Sequence, residues 1–195
     1  MYQEMSVPQI VEKILRERHG MRGQDFLFSL TKEYPRREQV MQYGEDDLHF
    51  ITRLLGEVGI WFRFTTDTRL HIDVVAFYDS QQGYEKGQSL PSVPPSGQHS
   101  QGVDSVWGME SHHSVVQKQV STRDYNYRQA TEDMNTLVDV TRGDATTYGE
   151  AYHYADNYLT PGSAYDLNPA PESGAFYARI RHERYLNGQT QTRAI

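Results

Sequence analysis

The sequence predicts an α+β chain, rich in β-structure, with antiparallel strands and three embedded helices. Three observations carry that expectation: two amphipathic stretches with capping residues near their ends, a change of hydrophobic period from near 3.6 to 2 at Ile60, and a later aromatic-rich half ending in one more capped stretch.

The first helix is expected from Ser6 to Gly20. Ser6 can cap with Gln9 three residues on, Pro8 suits a first turn, and Val7, Ile10, Val11, Ile14 and Leu15 fall on one face. A strand is expected over residues 26–31, and Pro35 argues against helix immediately after it. The second helix starts at Glu45, Asp46 and Asp47, acids placed against the positive end of its dipole, and buries Leu48, Ile51, Leu54, Leu55 and Val58 before stopping at Gly59. Gly56 in its last turn is a weakness of about 1 kcal/mol relative to Ala.

From Ile60 the alternation of Ile60, Phe62 and Phe64 predicts a strand. After a turn at Thr66, Asp67 and Thr68, the alternation of Leu70, Ile72, Val74 and Ala76 predicts its antiparallel partner, with these residues on the buried face. Residues 80–102 are different material: 17 of the 23 are Ser, Gln, Gly or Pro. Such a composition cannot fill a core, so the reading divides the chain into residues 1–79, a connection at 80–102 and a second part at 103–195. Strands are expected at 103–109 and 115–127. A last helix begins near Pro171, Glu172 and Ser173 and ends before Asn187 and Gly188.

Composition bounds the chemistry. The chain has 195 residues and no cysteine, which excludes disulfides, thiolate zinc sites and cysteine nucleophiles. Its mean hydropathy is -0.74, with no run of about 20 apolar residues and no basic-then-apolar start. A soluble chain without a readable export signal or stable membrane insertion is expected. The net charge of -7 is local: residues 130–172 hold eight acids and one base, and the remainder is balanced at 18 against 18. Without a surplus of Lys and Arg, nucleic acid is not an expected partner.

The eight histidines show no helical i, i+4 pair enclosing a glutamate, so no metal site is expected. No phosphate loop, dinucleotide fingerprint or nucleophile elbow is present. One constellation is worth weighing: the acidic stretch holds Glu150 and Asp156, and seven of the 14 tyrosines lie between Tyr125 and Tyr165. Paired carboxylates beside aromatic platforms would suit a glycan- or peptidoglycan-acting hydrolase, and the aromatics alone a carbohydrate-binding module. The same residues suit a protein interface, because tyrosine buries a ring and keeps a polar tip wet. On that reading Tyr152, Tyr154 and Tyr158 meet neighbouring subunits, with Arg179, Arg181 and Arg184 of the last helix as their basic complement.

The run Tyr34-Pro35-Arg36-Arg37-Glu38, then Gln42-Tyr43, Glu45-Asp46-Asp47-Leu48, Phe50-Ile51, Arg53-Leu54-Leu55, Glu57 and Gly59-Ile60, resembles the signature segment of the VgrG proteins, spike proteins of bacterial type VI secretion systems. Tyr2-Gln3 with residues 6–10, Arg123-Asp124-Tyr125-Asn126-Tyr127, Tyr148-Gly149-Glu150 and the run through Arg179 to Gly188 fit the same pattern. Gly56 departs from it, since the family usually has glutamate there. VgrG proteins are several hundred residues long, so the resemblance implies an internal piece of the region similar to the T4 phage baseplate hub, with the second part an incomplete barrel. It further implies a structural segment without catalytic residues or cofactor. Three copies would form a ring on the tube of Hcp hexamers at the baseplate, assembled in the bacterial cytoplasm and then driven out through the type VI machine.

Overall fold

The computed structural model describes residues 1–93 and 104–195. Two helices form where the apolar stripes fall, except that Leu48 of the second is 67% exposed and Phe50 is buried instead. Helix α1, Val7–Glu17, follows Ser6, whose N–H donates to Gln9 Oε1 at 2.9 Å, and it buries Val7, Ile10, Val11 and Ile14. Helix α2, Asp47–Glu57, is capped by Asp46, whose Oδ1 accepts the His49 N–H at 2.8 Å, and it buries Phe50, Ile51, Leu54 and Leu55. Gly59 takes φ +71, the left-handed turn that ends the helix.

Strand β1, Tyr2–Met5, pairs antiparallel with β3, Arg37–Val40, so the chain's first residues are tied down beside the signature segment. Strand β2, Phe26–Ser29, lies parallel to β5, Ile72–Tyr78, which pairs antiparallel with β4, Trp61–Asp67. The hairpin exists, but its buried face differs from the expected one. Phe62 stands opposite Phe77 and Phe64 opposite Val75, so Phe62 shares a face with Phe77 and not with Val74 or Ala76. Phe64 is 75% and Leu70 51% exposed. The turn sits two residues later than expected, because Asp67 closes β4 and its Oδ1 accepts the Arg69 and Leu70 N–H groups. A turn at residues 66–68 would set Phe64 opposite Leu70; it stands opposite Val75 instead, five residues on, and an odd shift exchanges the two faces.

Beyond the hairpin, Trp61 stacks on Tyr78 at 4.6 Å and meets Tyr84 at 4.7 Å, and its Nε1–H donates to Ser80 O. The start of the Pro/Ser/Gln stretch is therefore packed against the hairpin. Residues 94–102 of that stretch, and Val103 of the next expected strand, lie outside the described residues.

Residues 104–109 form no strand, only a bridge from Val106 to Ser92; the strand falls later, as β6, Glu110–His113. It pairs antiparallel with β10, Thr190–Arg193. The strand expected over 115–127 is shorter: β7, Gln119–Arg123, because Asp124 and Asn126 turn the chain, Asp124 accepting the Tyr158 N–H and Asn126 that of Arg128. β7 is the centre of a sheet with β8, Asn135–Val138, antiparallel to it and β9, Glu150–Tyr154, parallel. Helix α3, Gly174–Gly188, is capped by Ser173, whose Oγ accepts the Phe176 N–H, and lies across one face of that sheet.

The α+β, β-rich class is thus what the chain adopts, with three α-helices among the described residues. Of the six strand pairs among the described residues, β2–β5 and β7–β9 are parallel rather than antiparallel, and no closed barrel forms there. The larger core joins α1, α2 and the hairpin to Met134, Tyr158, Phe176 and Tyr177 from beyond the Pro/Ser/Gln stretch. A smaller cluster, Val120, Val138, Ala175 and Ala178, sits under α3.

Candidate functional site

The period of 2 along β9 separates its side chains. His153 turns toward α3, its Nε2 3.2 Å from Tyr185 Oη. Glu150, Tyr152 and Tyr154 point the other way, and Tyr152 and Tyr154 are exposed. Tyr152 and Leu137 flank Ser121, and Tyr154 flanks Arg123, so the sheet's outer face carries two tyrosines and an exposed leucine. Tyr158 does not join them. It is 2% exposed, its ring belongs to the larger core and its hydroxyl donates to Met134 O.

The three arginines of α3 divide as well. Arg179 pairs with Glu183 four residues on at 2.9 Å. Arg181 binds Asp156, so the acid-to-base complement expected between subunits is made here within one chain. Arg184 has no acidic partner within ion-pair distance among the described residues. Partial cover and the neighbouring Arg181 lower its pKa.

Arg37 is the residue the sequence reading left without a role. Its guanidinium is largely buried between Glu57 Oε2 at 2.8 Å and Glu172 Oε2 at 3.0 Å, with the Tyr177 hydroxyl at 3.3 Å. It bolts β3 to α2 and to the entrance of α3. Burial alone would lower its pKa, but Tyr177, Glu172 and Glu57 outweigh it and the pKa is raised, so the group stays charged. Glu172 and Asp156 are each pushed up by burial, only partly offset by Arg37 and Arg181 respectively. Glu172 Oε1 and Asp156 Oδ2 are buried with no hydrogen-bond partner among the described residues. Arg37 lies in the signature run, but its pairing with Glu172 has no local signal, because Glu172 is 135 residues away along the chain.

These groups line a cleft of about 950 Å³ between β3, α2, α3 and the segments after β7 and β9. The carboxylates suggested for a hydrolase do not converge in it. Glu150 accepts bonds from Gln119 and Ser121 on the outer face of the sheet, whereas Asp156 binds Arg181 on the α3 side. Among the described residues no group of three His, Asp or Glu side chains could hold a metal ion. No helix there is long and apolar enough to cross a membrane.

Residues 1–194 match the family model described as phage tail baseplate hub (GPD). The chain is similar to the type VI secretion system spike protein VgrG4b of Pseudomonas aeruginosa, 40% identical over 49% of this chain and 12% of that one. It is 25% identical to VgrG1a of the same organism, over 96% of this chain and 29% of that one. It therefore spans less than a third of the length of either relative. Among solved structures, an E. coli protein described as a type VI secretion component resembling the T4 bacteriophage tail proteins gp27 and gp5 superposes with a TM-score of 0.59. The two are 44% identical, over 99% of this chain and 35% of that one. A 43 kDa prophage tail protein from Shewanella oneidensis, 13% identical, shares the fold with a TM-score of 0.52 over 98% of this chain and 47% of that one.

Proposed function

We propose, from the premise that the chain belongs to the phage tail baseplate hub family, that it is a structural, non-catalytic segment of a type VI secretion spike. The observation that carries this reading is 44% identity to a type VI secretion component across 99% of the chain. In the proposal three copies form a ring seated on the Hcp tube at the baseplate. The ring assembles in the bacterial cytoplasm and leaves through the secretion machine without a signal peptide.

The geometry supports a mechanical role over a catalytic one. Charged groups of the cleft are spent on ion pairs between elements, Arg37 with Glu57 and Glu172 and Arg181 with Asp156, and Glu150 and Asp156 face away from each other. The outer sheet face with Tyr152, Tyr154 and Leu137 offers the apolar, polar-tipped surface that subunit contacts use. Light scattering over a concentration series tests this: the mass should rise toward three chains, and Tyr152→Ala with Tyr154→Ala should suppress the rise. A strict monomer at every concentration would remove the ring contact from this segment.

A further inference from the structure

A patch that meets its own copy about a twofold axis makes pairs; a closed ring of three needs two different patches on each chain, one docking on the other. In the proposed ring the outer face of the α3 sheet, with Tyr152, Tyr154 and Leu137, is one of them. The other has to be exposed, apolar and shaped to receive rings.

The β2–β5–β4 sheet carries such a face. Pairing sets Leu27 beside Ala76, Val74 beside Thr65 and Ile72 beside Asp67, all on one side. Phe26, Val75 and Phe77 take the opposite side and are buried in the larger core, so the Leu27 side turns outward. Leu27 is 54% exposed, Thr65 is exposed, and Ile72 and Val74 are half-buried. The stack of Trp61, Tyr78 and Tyr84 closes one end of this face. The rest is aliphatic, and tyrosine rings can pack between its side chains as those of two stacked sheets interdigitate.

Charge fits the same match. Glu150 and Arg123, both exposed, stand at opposite ends of the tyrosine face, because Arg123 lies beside Tyr154, four residues from Glu150 along β9. On the aliphatic face the ends are marked by Arg63 with Glu85 and by Asp67 with Arg69, also four residues apart along β4. Glu85 and Arg69 are the more exposed members of these pairs, at 73% and 88%. With β9 antiparallel to β4, Glu150 falls on Arg69 and Arg123 on Glu85.

We infer, resting on the ring of three proposed above, that the tyrosine face of one chain docks on the outer Leu27 and Val74 face of the β2–β5–β4 sheet in the next copy, with β9 antiparallel to β4. The chain has no cysteine, so single introduced cysteines report this contact alone. Thr65→Cys chains are mixed with Asn135→Cys chains, both sites being exposed beside the two patches, and treated with a bismaleimide about 10 Å long, the spacing of packed sheets. The one-to-one product should exceed by about tenfold that of either chain alone, because docking raises the effective concentration of the two sites. It should equally exceed that of Thr65→Cys with Tyr165→Cys, a site 96% exposed and outside both sheets. Leu27→Asp on the Thr65→Cys chain, or Tyr152→Ala on the other, should bring the yield down to this control. Arg69→Glu should lower it about twofold or more at low salt, and Glu150→Lys on the other chain should restore it.

A mixed yield no higher than the Tyr165 control overturns the pairing, as does a yield indifferent to Leu27→Asp. Asn135→Cys chains that link to one another as fast as to Thr65→Cys chains also overturn it, since the tyrosine faces would then meet about a twofold axis. If Leu27→Asp melts below the parent, the exchange of Arg69 and Glu150 decides in its place. The ring fails separately. A parent whose mass reaches three chains while the mixed yield stays at the control keeps the ring and loses this pairing; a parent that stays single while the product forms keeps the pairing and loses the ring from this segment.

Discussion

The packing of α1 and α2 and the sheet beneath α3 are built on different principles. In the first, Val7, Ile10, Val11, Phe50 and Leu54 are fully buried and stability rests on apolar area. In the second, the apolar contribution shrinks to Val120, Val138, Ala175 and Ala178, and the large buried groups are polar: Thr122, Ser173 and His182. Each of those is satisfied. Thr122 Oγ1 donates to Gly174 O at 3.2 Å, Ser173 caps α3, and His182 accepts the Val140 N–H on Nδ1 while Nε2 lies 3.0 Å from Gln117 O. An area-built region should fail in proportion to volume removed, and a polar one in proportion to partners orphaned.

The largest loss is expected for Phe50→Ala. The ring is fully buried and stacked on Tyr2 at 5.7 Å, so its removal should cost about 3–5 kcal/mol by chemical denaturation. A loss below about 1 kcal/mol would mean that the helix pair collapses freely and is not close-packed. Next comes His182→Ala, at about 2–4 kcal/mol, because it leaves a cavity and strips partners from Val140 N–H and Gln117 O. His182→Gln should recover part of that, since an amide both donates and accepts. If His182→Leu proved as stable as the parent, polar satisfaction would not be what holds α3 to its sheet.

The same contrast explains what the sequence could disclose. Both first helices and the hairpin were legible because their stripes and caps are local and apolar. Strands β1, β3, β8, β9 and β10 were not. β10, Thr190–Arg193, is exposed throughout, so no alternation of apolar residues marks it, and β1 buries only Tyr2. Their identity comes from pairing partners far along the chain, as β10 with β6. Of the three tyrosines proposed for an interface, Tyr152 and Tyr154 are exposed on the regular strand β9, while Tyr158 is buried after an irregular segment in which period gives no face. Arg184 was visible as a charge, but its lack of an acidic partner depends on where Asp156, Glu57 and Gly56 come to rest.

The smallest expected effects separate the regions by sign. Asp79, at the end of β5, is buried, which pushes its carboxyl up, but N–H donors from Thr31 and Lys32 and hydroxyl donors from Thr31 and Tyr34 outweigh that and hold it below the usual range. Glu172, before α3, is pushed up by burial and only partly drawn back by Arg37. A lowered carboxyl contributes stability above the unfolded value of about 4 and loses it as pH falls through the folded value. A raised one contributes below that value and loses it as pH rises through the folded one. Asp79→Asn should therefore cost most at pH 7, about 1–3 kcal/mol, with the cost shrinking in acid. Glu172→Gln should cost under about 1 kcal/mol at pH 7 and more in acid, because the parent's neutral carboxyl is the favoured form there. Melting temperatures of the three proteins across the acid-to-neutral range give the two slopes. Slopes of the same sign would mean that Glu172 is as well satisfied as Asp79, and that Arg37 stabilises the ionised carboxylate more than burial penalises it.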